Sequence, residues 1–342
     1  MTVTGRAARS HVPRHWMDAA WRFSLSAASM TGSAPQLSIV IFHRVLPEPD
    51  PLFPDDPDIH RFDQLCAWLA AWYQVLPLDE AVERMNQGSL PPRALAITFD
   101  DGYADNHDFA MPILQAHGLC ATFFIATGFL NGGRMWNDTV IEALRCTAES
   151  RLDLSGLNLP GVSGVEVSTV QQRREAIPRL LTAMKYLPHD ERLQMSECLA
   201  EQAQVRPRRD LMMTTDQVRA LALGGMQVGA HTVSHPILAG LEDARAEREL
   251  SESKSALESL LNRPVTLFAY PNGKPNRDYS RRDVALVRKL GFKAAVSTAP
   301  GAASAGDSRP FELPRFTPWD RSRWRFALRL ARNLRVQAAV SE

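Results

Sequence analysis

Ala96-Ile97-Thr98-Phe99-Asp100-Asp101-Gly102-Tyr103 is the stretch from which the rest of the chain can be read. A short apolar run, Leu95, Ala96 and Ile97, ends in two adjacent carboxylates, followed at once by a glycine and an aromatic. Neighbouring side chains on a strand point to opposite faces. Asp100 and Asp101 therefore stay close only where the chain turns out of the sheet, and Gly102 permits that turn. A strand interior does not tolerate unpaired charge, so paired carboxylates at a strand's exit point to a site. One Asp can bind a metal while its neighbour handles a proton. The competing reading of these letters alone is a polar Asp-Asp-Gly turn without chemistry.

Roughly 130 residues later the chain reads Val228-Gly229-Ala230-His231-Thr232-Val233-Ser234-His235-Pro236. Two histidines at this spacing share a face on a helix, or converge from a turn after a strand. Gly224, Gly225 and Gly229 before the pair and Pro236 after it argue for a strand running into a loop. Imidazole nitrogen suits Zn, Ni, Co or Fe, and a carboxylate oxygen completes a mixed set. One Asp with two His leaves positions open for water, as a hydrolytic metal needs. A third segment, Leu267-Phe268-Ala269-Tyr270-Pro271-Asn272-Gly273, is an apolar strand ending in a strong turn signal. A backbone N–H or the Tyr270 ring there is placed to line a substrate pocket; the plain alternative is a turn.

Together, Thr98–Tyr103, the His-Thr-x-x-His of 231–235 and Phe268–Gly273 resemble the polysaccharide deacetylase family, also called the NodB-homology or carbohydrate esterase 4 family. The resemblance covers roughly residues 36–320. It implies a distorted (β/α) barrel, here with a helical insertion, and a divalent metal, Zn2+ first and Co2+, Ni2+ or Fe2+ as alternatives. Carried over, Asp100 becomes the general base, and Asp101, His231 and His235 become the metal ligands. Tyr103, Tyr270, Pro271, Asn272, Trp136 and Arg315 are the expected substrate-binding residues. Two departures stand out. The local order is Tyr270-Pro271, and Arg263, eight residues before that proline, is far from the place where many members carry an Arg that braces the catalytic Asp. Arg315, in Glu312-Leu313-Pro314-Arg315-Phe316, is a second candidate brace. The late Leu-x-His of many members is missing too, because no histidine follows His235. The substitute is His43, at the end of the buried-strand pattern Leu37-Ser38-Ile39-Val40-Ile41-Phe42. Some exopolysaccharide-modifying members look circularly permuted in this way. His60, His107, His117 and His189 have no supporting context and are read as ordinary residues.

The implied chemistry is hydrolysis of an acetamide. A divalent metal brings the pKa of bound water from near 16 to roughly 7, Asp100 takes the proton, and His43 hands one to the leaving amine. An oxyanion donor such as a backbone N–H near Tyr103 is typically worth about 3 kcal/mol. The expected substrate is an N-acetylated polysaccharide or glycolipid. An O-acetyl esterase, another amide hydrolase, or a saccharide-binding component without turnover are the alternatives.

The rest of the chain sets bounds. At 342 residues it can hold one large or two ordinary domains. The net charge of +1 gives no global case for nucleic-acid binding. Cys66, Cys120, Cys146 and Cys198 form no close pairs, which excludes a disulfide framework or a cysteine-type zinc site. Residues 1–35 read as a flexible leader without an apolar core of signal-peptide type. No run of 18 apolar residues exists, so the economical expectation is a cytoplasmic protein.

Strand patterns at 36–45, 95–99, 121–127, 226–230 and from 267 alternate with helical ones at 62–73, 108–118, 243–261 and 282–290, as in a parallel α/β sheet or barrel. Residues 132–216 interrupt the alternation. Asn137–Glu149 and Val170–Ala203 read as helices, separated by a hairpin or mobile loop at 154–169, and the block is expected to cover one side of the site. Trp136 there offers an aromatic face to a sugar ring. Residues 321–342 hold a basic amphipathic helix with six arginines from Arg321 to Arg335. Trp324, Leu328 and Ala331 form its expected apolar stripe. Packing on the barrel is favoured over contact with anionic lipid.

Overall fold

The computed structural model describes residues 15–29, 35–304, 309–318 and 320–342. From the N-terminus, α1 (His15–Ala28) precedes β1 (Gln36–Phe42), and α2 (Ile59–Trp72) leads to the short β2 (Gln74–Val75). Next come α3 (Leu78–Asn86) and β3 (Ala94–Phe99), then a π-helical turn, Asn106–Ala110, running into α4 (Met111–Ala116) and β4 (Thr122–Ile125). A long block follows, made of α5 (Trp136–Cys146), the hairpin of β5 (Arg151–Asp153) and β6 (Gly164–Glu166), α6 (Val170–Met184) and α7 (His189–Gln202). Then come α8 (Thr215–Leu223), β7 (Gln227–Ala230), α9 (Asp243–Leu261) and β8 (Leu267–Ala269). The remainder is α10 (Arg281–Lys289), β9 (Ala294–Val296), β10 (Ala303–Ser304) and α11 (Arg323–Asn333).

The strand order is β10-β1-β3-β4-β7-β8-β9, with β2 also on β3. Every pairing along it is parallel except β1 with β10. β3 is buried at all six positions. Both of its faces are covered, so it reads as a continuous apolar run and does not alternate. Between β9 and β1 lies the irregular segment 310–316. Leu313 N–H donates to Ala295 O at 2.9 Å on one side, and Phe316 N–H donates to Ile39 O at 2.8 Å on the other. The sheet therefore curls into a distorted (β/α) barrel with fewer regular strands than a closed one, as expected. Its core carries a stack of rings, with Phe42 and Phe99 5.3 Å apart and Phe99 and Phe123 4.8 Å apart.

Four local expectations change. Residues 15–28, read as part of a flexible leader, form α1. Leu25 is buried, Trp21 meets Trp72 edge-on at 6.3 Å, and Asp18 accepts from Trp72 Nε1 at 2.8 Å. Residues 1–14 and 30–34 of that leader lie outside the described residues. The single helix expected over 170–203 is two, because Pro188 lacks an N–H and disfavours helical geometry just before it. The helix expected from Asp108 begins as the π turn. In α11 the buried stripe is Phe326, Ala327 and Leu330, whereas Trp324 and Leu328 are exposed.

Candidate active site

β1, β3, β7 and β8 end at the same edge of the sheet, because the parallel register aligns Phe42 with Phe99, and Ala230 with Phe268. Four of the sequence motifs therefore meet. The turn after β3 is tight: Gly102 has φ +91°, and a Cβ there would sit 3.3 Å from Ile125 Cγ2. In β7, Gly229 is required by packing, since a Cβ would come within 2.5 Å of the Phe124 ring.

Asp101 Oδ1 lies 3.4 Å from His231 Nε2 and 3.4 Å from His235 Nε2. One ligand atom from each of the three residues falls within 4.8 Å of the others. Tetrahedral ligands at roughly 2.0–2.1 Å from a zinc ion stand about 3.4 Å apart, so the two Asp101–histidine separations suit such a cation. His231 Nδ1 is 2.7 Å from Ala269 O. Donation there fixes the tautomer that leaves Nε2 free as a ligand. Glu249, which the sequence reading did not single out, holds the loop between the histidines. Its Oε2 accepts from the N–H groups of Val233 and Ser234, both at 2.9 Å. Asp101, Thr232, His235 and Asn272 all have positive φ, from 51° to 77°. That conformation is least comfortable for a β-branched residue such as Thr232. Left-handed backbone gathered at one place is typical of functional sites.

Asp100 is fully paired. Arg315 Nη1 and Nη2 donate to its two oxygens, each at 2.7 Å, while Arg315 Nε donates to Ser297 O at 2.8 Å. Burial pushes the Asp100 carboxyl up, but Arg315 and then His231 outweigh it and hold it below the usual carboxylate range. Asp101 is likewise held well below that range against its burial, by His231 and His235. Burial pulls the His235 ring down to about 3, so it is neutral, as a nitrogen ligand must be.

His43, at the exit of β1, is exposed. It shares with Asp101 and His235 the lining of a cleft of about 370 Å³. The lining also includes Trp136 and Asn137, Pro178 and Leu181 of α6, and Lys185 just after that helix, so the block between β4 and β7 contributes a wall. Of the Tyr-Pro-Asn-Gly turn, Asn272 is the residue that lines this cleft. Pro271 is buried. Tyr270 is corrected to a core residue, with no exposed surface and its ring stacked on Tyr279 at 3.9 Å. Arg315 takes the brace position read for it from the sequence, on Asp100, and not the substrate contact also expected of it, since its guanidinium is buried and occupied. Tyr103 is buried beside an adjoining hollow of about 260 Å³ and donates its hydroxyl to Asp138 Oδ1 at 2.9 Å. Burial pushes the Asp138 carboxyl up to about 7 against that hydrogen bond and Arg44. Arg44 in turn pairs with Asp105 at 2.8 Å and lies over the Tyr103 ring.

The pattern of the polysaccharide deacetylase family matches residues 87–150 and 189–295. YxkH of Bacillus subtilis, a protein named for that family, is 23% identical over 233 residues, which is 68% of this chain and 54% of YxkH. The chain thus spans about half the length of this relative. The fold is similar to that of the Streptococcus pyogenes deacetylase PplD, at TM-score 0.55 and 20% identity over 83% of this chain and 93% of the other. It is also similar to that of IcaB from Ammonifex degensii, at TM-score 0.56 and 17% identity over 86% and 97% of the two chains. With its family pattern spanning half of the sequence, this chain belongs to the polysaccharide deacetylase family.

Proposed function

We propose that the chain is a metal-dependent hydrolase that removes N-acetyl groups from an amino-sugar polysaccharide or glycolipid. The observation that carries this reading is Asp101 Oδ1 standing 3.4 Å from both imidazole nitrogens, next in sequence to an Asp100 pinned by Arg315. Asp101, His231 and His235 would hold the cation, Zn2+ by its preference for such donors. When bound, it supplies Lewis-acid polarisation of the acetyl carbonyl and lowers the pKa of water. Asp100, kept ionised, accepts the proton of the attacking water. His43 gives a proton to the amine nitrogen as the C–N bond breaks, and the products are acetate and a free amino sugar. The Tyr103 N–H is the donor assigned to the developing oxyanion. Trp136 and Asn272 line the cleft where the sugar ring would lie.

Metal analysis of the purified protein, coupled to acetate release from N-acetylhexosamine oligomers and O-acetylated sugars, tests this. One metal per chain with release from the N-acetyl substrates supports it. Release from O-acetyl sugars alone favours the esterase reading, and no release from either favours a binding component. His43→Gln should lower kcat at unchanged metal content.

The outer face of α11 supports peripheral contact with an anionic membrane. Trp324 and Leu328 are exposed there among Arg325, Arg332 and Arg335. No described helix is long and apolar enough to cross a membrane. Deleting the helix would strip Phe326 and Leu330 from the core. The cleaner test is Trp324→Ser with Leu328→Ser, which should reduce co-sedimentation with phosphatidylglycerol vesicles. Equal co-sedimentation would remove the idea.

A further inference from the structure

A pocket of about 400 Å³ adjoins the cleft. Lys185 and His235 line the cleft, and their chain neighbours Tyr186 and Pro236 line this pocket. Its basic lining residues are His189, Arg192 and Arg277, and no carboxylate lines it among the described residues. Arg192 is the unusual member. It is 3% exposed and, among the described residues, pairs with no carboxylate and has no hydrogen-bond partner for its Nε. Its other donors go to Lys185 O at 2.7 Å and His189 Nδ1 at 3.4 Å, and its guanidinium lies 4.9 Å over the Trp136 ring. Burial alone pulls it down to about 10, so at neutral pH it is a buried cation without a counter-charge among the described residues. Such a group is costly unless an anion offsets it.

The acids nearby are already engaged. Asp278 accepts from Lys274 N–H at 3.0 Å and Tyr186 Oη at 3.2 Å. Glu249 serves the histidine loop. Asp190 is exposed, 3.5 Å from Arg245. The pocket wall also includes His189, the first residue of α7, whose first turn already carries Asp190 and Glu191, so the anion preference rests on the arginines and not on the helix end. Tyr186, 44% exposed, carries Arg277 4.5 Å over its ring and offers an aromatic face at the rim. Aromatic faces suit sugar C–H surfaces, and guanidinium forks suit planar oxyanions.

The geometry points to a second saccharide subsite here, one that binds a carboxylate or phosphate carried by the sugar unit next to the one in the cleft. It deepens the deacetylase reading and rests on it: the substrate would be an acidic, N-acetylated saccharide. A neutral polymer would leave Arg192 unpaired.

The test reads binding, so it is informative whether or not acetate is released. Calorimetric titration of the full chain at low ionic strength uses methyl glucuronide, glucose 1-phosphate and methyl glucoside as probes. At least one anionic probe should bind ten-fold or more tightly than methyl glucoside, and the preferred anion identifies carboxylate or phosphate as the natural group. Arg277→Glu should abolish the preference and Arg277→Lys should keep most of it. Arg192→Met, checked for an unchanged fold by circular dichroism, should weaken it at least five-fold. An anion held instead by Asp101, His231 and His235 through a metal would bind Arg277→Glu and Arg192→Met as well as the wild type. That result would overturn the proposal, as would anionic probes binding no better than methyl glucoside.

Discussion

Arg315 and Asp100 form a bidentate pair, both bonds 2.7 Å, with the two side chains 0% and 3% exposed. They are 215 residues apart, and the segment carrying Arg315 lies between β9 and β1. The same residue thus helps to close the barrel and to hold the proposed base ionised. Removing one partner of a buried pair costs about 3–5 kcal/mol, so Arg315→Met should lower the melting temperature clearly. The Asp100 carboxyl sits below its ordinary value in the folded chain. Its stabilising contribution is therefore present above the unfolded pKa of about 4 and is lost as pH falls through the folded value. Without Arg315, burial is less opposed and the carboxyl rises, so the acid limb of acetate release should move to higher pH. A pH–rate profile unchanged in that limb would contradict the assignment.

Glu249 touches none of the three proposed ligands through its side chain, yet it fixes the backbone between two of them. Glu249→Ala should weaken metal affinity about 10–100-fold, the usual scale for groups that orient a ligand. The overall fold should survive, since the lost bonds lie in one loop. Metal titration of the variant with a competing chelator measures this, and unchanged affinity would refute it.

Asp138 makes a prediction of opposite sign to Asp100. Its folded pKa is raised to about 7, above the unfolded value of about 4. Between those values the folded chain holds the proton more tightly, so stability declines as pH rises from about 4 to about 7. Asn at this position cannot ionise and can still accept from the Tyr103 hydroxyl. Asp138→Asn should match the wild type near pH 4 and exceed it at pH 8 by a few kcal/mol, on the order of 1.4 kcal/mol for each pH unit between the unfolded and folded values. Urea unfolding at the two pH values checks this; a variant less stable at pH 8 would contradict it.

Much of this site was legible because its residues sit at strand ends, where short motifs carry both the turn and the chemistry. Asp100, Asp101, His231 and His235 converge because parallel strands end on one edge. Nothing local in Glu249 or Asp138 announces a role: each acts through a partner 15 to 35 residues away, brought close by the fold. Tyr270 sits in a turn that reads as pocket-lining, but its ring faces the core and stacks on Tyr279. The buried stripe of α11 is not legible because Trp324 and Leu328 are as apolar as Phe326 and Leu330. Which set is buried depends on the surface the helix meets, and its own periodicity does not decide that.

The most direct test of the central claim is acetate release by metal-reconstituted Asp100→Asn. The variant should retain one metal per chain, because Asp101, His231 and His235 are untouched, and turnover should fall by about 10²–10⁴-fold, the usual contribution of a positioned acid or base. A metal-loaded Asp100→Asn protein that releases acetate at the wild-type rate would contradict the account.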